Sequence, residues 1–236
     1  MCALLGAALP ATAAECVARS GERTAALVEL YSARRCAGCD EAERRLARLA
    51  AAAPQALVPL VSYVARADYV APRDTSTAQR VAARERRLLL RQRMALVYTP
   101  HLRVQGSELP AWDSRAFDAA LERVRAQPAR ARLRLELLAA GPEGLTVRVE
   151  AEALEGAQRR DIAAYVAAVD LLKDALPRIL EWHGPITPGE DGRVLAQRRV
   201  RPVPGARPGR SGVAAFVQSR RTEEVLQAVL LGACSP

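Results

Sequence analysis

Two cysteines that are separated by two residues, Cys36 and Cys39, are the side chains of this sequence best suited to chemistry. Thiols at this spacing form a redox-active disulfide, half of a zinc site or a structural disulfide. A short apolar segment, ALVELYS, precedes them and an amphipathic helical pattern follows them. At the N-terminus of a helix, unpaired backbone N–H groups stabilise a thiolate. The context therefore favours a thiol–disulfide oxidoreductase, with Cys36 and Cys39 as its candidate catalytic residues.

The other interpretations of the pair differ in the groups that they require. A zinc site needs two further soft ligands, and the chain has no second close cysteine pair and only two histidines, His101 and His183. A copper-handling protein could use both thiolates and His101, because soft thiolates suit Cu(I). A redox-silent binding module needs only a structural disulfide. We predict no metal and no cofactor, and keep the copper-handling protein and the binding module as alternatives.

The composition excludes several classes of partner. The net charge of the 236 residues is +9, but the basic residues are scattered and aromatic residues make up only 4%. Nucleic-acid binding usually needs a concentrated basic face with aromatic platforms, so we expect none. No apolar run reaches 18 residues, so we expect no stable membrane insertion. The expected partner is a protein or a small thiol.

The first 14 residues, MCALLGAALPATAA, are typical of the later part of a secretory signal. An apolar run is followed by small residues, with cleavage expected after Ala13 or Ala14. The positively charged start of such signals is missing, as it would be if translation began further upstream. The sequence therefore predicts a periplasmic or secreted protein.

Export would remove Cys2 and leave four cysteines in an oxidising compartment. Four cysteines allow three connectivities. If Cys36 and Cys39 pair locally, Cys16 and Cys234 are left to tie the two ends of the mature chain together. Such a structural disulfide stabilises the fold by about 4–5 kcal/mol in the chain-entropy model, because it closes a very long loop.

The order of predicted elements changes near the middle of the chain. Residues 20–128 read as strand, helix, strand, helix, strand, strand, helix, which predicts an α/β domain with a parallel pair of strands and a terminal hairpin. In residues 129–236 apolar and charged residues alternate, beginning with a hairpin around GPEG (141–144). We predict a mostly antiparallel β region packed on the first domain, and an α+β fold overall.

Several segments resemble the secreted domain-of-unknown-function family 1223, a set of bacterial thioredoxin-like proteins. The matching segments are ALVELYSARRCAGCDEAE, VYTPHLRVQG, GEDGRVLAQRRV and GVAAFVQSRRTEEVLQAVLL. The resemblance implies export, a thioredoxin-like fold for the N-terminal domain, and a redox pair at Cys36 and Cys39. It implies no particular substrate.

A thioredoxin-like fold also implies further site residues. A cis-proline precedes the third core strand in that architecture and packs beside the cysteines, and Pro100 occupies this place in the sequence. Tyr98, Thr99 and Pro100 are therefore the expected substrate-binding segment. The rim of the site is expected to contain three more residues: Arg35, Tyr63 and Asp68.

The chain also departs from the family pattern at two places. Asp40 and Glu41 stand where members usually carry two prolines, and residues 63–68 read YVARAD where His-Val-Asp-Tyr-Trp-Asp is usual. Acidic residues in the first helical turn disfavour a thiolate, which the helix N-terminus would otherwise stabilise. The arginines just upstream of Cys36 favour the thiolate. The sequence therefore leaves open whether the pair acts as an oxidant, as a reductant or not at all.

Overall fold

The computed structural model describes residues 16–64, 77–93, 98–109, 111–141, 143–154, 159–171, 176–201 and 210–234. The expected signal segment and Asp68 lie outside these residues. The described helices are α1 (Cys39–Ala52), α2 (Thr77–Arg91) and α3 (Arg115–Ala126). The described strands are β1 (Val17–Arg19), β2 (Ala26–Ser32), β3 (Leu57–Tyr63), β4 (His101–Val104), β5 (Ser107–Glu108), β6 (Ala131–Gly141), β7 (Gly144–Ala153), β8 (Ile162–Asp170), β9 (Arg178–Ile186), β10 (Arg193–Val200), β11 (Ser211–Ser219) and β12 (Val225–Leu231).

One large sheet runs through both halves of the chain. Its eight strands lie in the order β12-β11-β8-β9-β3-β2-β4-β5. β2 and β3 are parallel, β4 is antiparallel to β2, and β5 forms a hairpin with β4. A parallel contact between Val61 of β3 and Arg178 of β9 joins the two halves. Most strand pairs are antiparallel, which confirms the predicted α+β class.

A second sheet of four strands, in the order β1-β6-β7-β10, covers part of the first. The predicted hairpin is formed by β6 and β7, with Gly141 opposite Gly144. From Ala131 to Leu137 of β6 every second side chain is buried, as expected for a strand with one face in water. The buried side chains of both sheets, such as Leu135, Val149 and Val166, form a core between them.

The helices of the N-terminal half lie on opposite sides of the large sheet. α1 and α3 bury Leu46, Phe117 and Leu121 against the aliphatic residues of β2, β3 and β4. The Oγ of Ser114 accepts a hydrogen bond from the N–H of Phe117 and caps α3. α2 lies on the other side, where it contacts β9 and β3.

The sequence pattern predicted that three leucines, Leu88, Leu89 and Leu90, form the apolar face of α2. Leu88 and Leu89 are buried, but Leu90 is 66% exposed. Arg84 and Glu85 are buried instead. The prediction fails at Leu90 because α2 turns Arg84 and Glu85 toward the sheet. There Arg84 binds Glu29, and Glu85 contacts His101.

Within the described ranges, no helix combines the length and the apolar character that a membrane span requires.

Candidate functional site

The disulfide between Cys36 and Cys39 lies at the N-terminus of α1. The Cα atoms of the two cysteines are 5.4 Å apart. Cys39 is the first helical residue and is 1% exposed, whereas Cys36 is half-buried. Gly38 has a φ of 84°, a left-handed conformation that glycine adopts at no steric cost. Because of this turn, Cys39 points into the protein while Cys36 stays within reach of solvent.

The topology brings Pro100 to the same place. β2 runs toward the cysteines and ends at Ser32, and the antiparallel β4 begins beside it, with His101 opposite Tyr31. Pro100 therefore lies at the edge of the sheet where α1 begins. A Cβ placed on Gly38 would be 3.8 Å from the Cδ of Pro100, so the proline ring packs beside the disulfide. The peptide bond between Thr99 and Pro100 is cis.

Tyr63, a predicted rim residue, lies at the end of β3 and is 41% exposed. Its hydroxyl donates a hydrogen bond of 2.8 Å to Glu43 of α1. Partial burial, this hydrogen bond and the negative charge of Glu43 together raise the pKa of Tyr63 to about 12. Tyr63 is therefore neutral at physiological pH and acts as a hydrogen-bond donor.

Sequence reasoning missed Glu43. Ser32 donates a hydrogen bond of 2.6 Å to its other carboxylate oxygen. Glu43 follows Cys39 by four residues, so the two side chains lie on the same face of α1, one turn apart. The acidic residue at this spacing was the signal available in the sequence.

The remaining predicted site residues differ in their surroundings. Arg35 is exposed and lies immediately before Cys36 with a φ of 60°. Thr99 is half-buried, and so is Tyr98, whose hydroxyl donates to the carboxylate of Glu108. Burial and this hydrogen bond raise the pKa of Tyr98 above its ordinary value. Substrate binding by Tyr98 and Thr99 stays a prediction.

Sequence reasoning also missed a layer of buried charges on the side of the sheet that faces α2. Glu29 of β2 accepts two hydrogen bonds from the guanidinium of Arg84, of 2.7 and 3.0 Å. Burial opposes the charge of Glu29, but Arg84 outweighs it and lowers the pKa of this carboxyl. Arg84 also donates to Gln218 of β11, and its guanidinium carbon lies 4.9 Å from the centre of the Phe216 ring. The ion pair therefore links the two halves of the chain.

His101 and Arg103 of β4 extend this layer toward the cysteine end of the sheet. Both side chains are completely buried. In the register of β2 and β4, Glu29 is opposite Arg103, and Tyr31 is opposite His101. The signal in the sequence was a polar residue at every second position of two otherwise apolar strands, VELY and HLRV.

Cys16 and Cys234 form the second disulfide, with their Cα atoms 6.0 Å apart and 218 residues between them in sequence. This bond ties β1 to the chain that follows β12. Cys16 belongs to the core between the two sheets, and Cys234 packs against this core. The position agrees with the structural role expected from sequence.

Among the residues that the structure describes, no group of three or more histidine, cysteine or acidic side chains is arranged to hold a metal ion. His101, the third ligand considered for copper, contacts Glu85 through its Nδ1 atom.

Two solved structures share the fold. HBP35 of Porphyromonas gingivalis has a TM-score of 0.66 and 12% identity, over 92% of this chain and 77% of that one. The crystal structure of a protein from Agrobacterium tumefaciens has a TM-score of 0.61 and 16% identity, over 92% of this chain and 98% of that one. Identities this low show a likeness of fold alone. No curated protein matches the sequence significantly.

A family model described as "Protein of unknown function (DUF1223)" matches residues 27–174. The match covers more than half of the chain and includes β2, the cysteine pair, Pro100 and the first strands of the β-rich half. The chain therefore belongs to the DUF1223 family of proteins of unknown function.

Proposed function

We propose that this protein is an exported, thioredoxin-like thiol–disulfide oxidoreductase. The observation that carries the proposal is the asymmetry of the Cys36–Cys39 pair. Cys36 is half-buried and Cys39 is buried, at the N-terminus of a helix and beside Pro100. An attacking thiol must be accessible and stabilised as a thiolate. The thiol that completes the reaction attacks only the sulfur of the first cysteine, so it can be buried.

The thioredoxin-like assignment is supported by the order of elements in residues 20–128. Parallel β2 and β3 are connected through α1, a hairpin of β4 and β5 extends the sheet on the other side of β2, and α3 follows it. We assign these residues to a thioredoxin-like domain and residues 129–236 to a β-rich region packed on it.

In the proposed reaction, the Cys36 thiolate attacks one sulfur of a substrate disulfide and expels the other substrate sulfur as a thiolate. Cys39 then attacks the sulfur of Cys36, which restores the Cys36–Cys39 disulfide and releases the second substrate thiolate. The substrate disulfide is thereby reduced to two thiols while the protein pair is oxidised. The same steps in reverse oxidise a substrate dithiol.

Glu43 serves the second step of this reaction. Cys39 must lose its proton before it attacks, and its burial disfavours the charged thiolate. The carboxylate of Glu43, one turn along α1, accepts that proton. We expect E43Q to slow the release of substrate from the mixed disulfide while the attack by Cys36 keeps its rate.

Export is supported by the two disulfides and by the signal-like residues 1–14. Disulfides persist in the oxidising compartments outside the bacterial cytoplasm.

The test is the reduction potential of the Cys36–Cys39 pair, measured by equilibration with glutathione and mass-spectrometric trapping. We expect a value between roughly −270 and −120 mV, the range of redox catalysts, and the Cys16–Cys234 disulfide to remain oxidised as an internal reference. A value below about −300 mV would overturn the proposal, because such a bond resists reduction. The redox-silent binding module would then be the better description.

A second experiment tests the roles of the two cysteines. C39S should accumulate a mixed disulfide with a peptide substrate through Cys36, because the resolving thiol is missing. C36S should accumulate none, because Cys39 is buried. Equal trapping by both variants would contradict the assignment.

A further inference from the structure

The segment that carries Pro100 is held at both ends by buried acidic residues. On one side of the proline, the hydroxyl of Tyr98 donates to Glu108 of β5. On the other side, Nδ1 of His101 contacts the carboxylate of Glu85 of α2. Nε2 of His101 lies 3.5 Å from the same Glu108 oxygen that Tyr98 reaches, a close approach that is not a hydrogen bond. Glu108 therefore touches both flanks of Pro100, and Glu85 fixes one of them to a helix.

This arrangement is sealed from water. The side chains of His101 and Glu85 are 0% exposed and that of Glu108 is 7% exposed. The imidazole of His101 therefore meets Glu85 and Glu108 in surroundings from which water is excluded. Burying polar and ionisable side chains is costly unless each of them is paired, and aliphatic residues of similar volume often pack as well or better. The fold alone therefore does not require this cluster.

Other groups fix the orientation of the His101 ring. The ring of Tyr98 lies 4.9 Å from it and the ring of Tyr31 of β2 lies 5.9 Å from it, measured between ring centres. Arg103 is the next residue of β4 whose side chain lies on the same face, beside Glu29 of β2. With Glu85 and Glu108, these groups surround the imidazole, so neither the ring nor the backbone that leads to Pro100 can shift freely.

We propose that His101, which contacts Glu85 through Nδ1 and packs beside Glu108 and Tyr98, is a positioning residue that holds Pro100 against Gly38 so that a substrate chain docks correctly beside Cys36. The inference rests on the proposed function, and it adds the residues that keep the docking surface in place. His101 does not touch the reacting sulfurs; it acts through Pro100.

The test compares two reactions of H101Q and of the unaltered protein. Exchange with a disulfide-containing peptide needs the docking surface, and we expect it to fall roughly ten- to hundredfold, as small misplacements of reacting groups can do. Reduction of the Cys36–Cys39 bond by dithiothreitol needs no docking, and we expect it to become several-fold faster because Pro100 no longer shields the bond. Unchanged rates in both reactions would overturn the inference.

Two further variants separate positioning from a loss of stability. If His101 acts through Pro100, H101Q should add nothing to either rate in a P100A background, whereas a general loosening of the fold would add to the effect of P100A. Additive effects would therefore overturn the inference. H183Q makes the same chemical change at the other histidine, which is 26% exposed on β9, and both rates should stay unchanged.

If H101Q does not fold, Y98F takes its place in the same scheme, because it removes only the hydroxyl that reaches Glu108. It should change both rates in the same directions by smaller factors, and unchanged rates would overturn the inference.

If the unaltered protein exchanges with no peptide, the proposed function is wrong. The dithiothreitol rates of H101Q, P100A and the double variant then decide the inference alone: a faster, non-additive reduction supports it, and an unchanged or additive one overturns it.

Discussion

On one face of β2 and β4 the buried side chains are aliphatic, whereas on the other face several of them are ionised. Val28 and Leu30 of β2 lie opposite Val104 and Leu102 of β4 and pack against α1 and α3. Glu29 and Tyr31 lie opposite Arg103 and His101 and face α2. Successive residues of these two strands thus alternate between two buried faces of different chemistry.

The difference shows that the two faces have different roles. The aliphatic face contributes stability in proportion to the area it removes from water. The ionised face loses hydration free energy for every charge and recovers it only where pairs form, as between Glu29 and Arg84. Such a layer adds little net stability but specifies which groups must meet. It lies directly behind Pro100, where the proposed reaction needs a fixed geometry.

The largest expected effect comes from breaking the ionised face. R84M leaves Glu29 buried without its main partner and should lower the free energy of unfolding by about 3–5 kcal/mol at pH 7, as measured by denaturant unfolding. Glu29 has a lowered pKa beside Arg84. That pair therefore contributes stability above the ordinary carboxyl pKa, and the contribution is lost as the pH falls.

The pH dependence sharpens this prediction. Without Arg84 the buried carboxyl takes up a proton more readily than in the unfolded chain, so acidification relieves the unpaired charge. The stability gap between R84M and the unaltered protein should therefore narrow from pH 7 to pH 5. A gap of the same size at both pH values would contradict the assignment of the loss to Glu29.

A change on the aliphatic face should behave differently. L102A leaves a cavity next to α1 and α3 and should lower the free energy of unfolding by about 2–4 kcal/mol, equally at pH 7 and pH 5, because no ionised group loses its partner. L195A makes the same change at a leucine that is 72% exposed, and its effect should stay within about 0.5 kcal/mol. If the loss in L102A varied with pH as in R84M, the two faces would not be independent.

The smallest expected effect concerns Tyr63. Its folded pKa of about 12 exceeds the ordinary value of 10. The stability that comes from its neutral form is therefore complete below pH 10 and is lost as the pH rises from 10 to 12. Y63F should remove one partly exposed hydrogen bond, about 0.5 kcal/mol at pH 7, and should lose stability less steeply between pH 10 and pH 12. Parallel stability curves for the two proteins would contradict the role of the hydrogen bond to Glu43.

The strands and the cysteine pairs were predictable from local patterns. ALVELYS is a short apolar run with β-branched and aromatic residues, and it forms a strand that is buried at every position. The four cysteines that would remain after export pair as Cys36–Cys39 and Cys16–Cys234. An Arg-rich helical pattern predicted the existence of α2, but its leucines did not predict the orientation of the helix, because Leu90 is exposed and Arg84 is buried.

The sequence by itself determined the position of the cysteine pair before a helix, the proline at the start of β4, and the alternation that assigns each strand residue to one face or the other. Only the tertiary structure decided that Glu29, Arg84, Glu85, His101 and Arg103 share one buried layer. Glu29 and Arg84 are 55 residues apart, and Arg84 and Gln218 are 134 apart. The alternation along a strand tells which of its residues point to the same face of the sheet. The opposite charge that compensates a buried charge, however, comes from whichever element packs against that face. That choice depends on the packing of the whole chain.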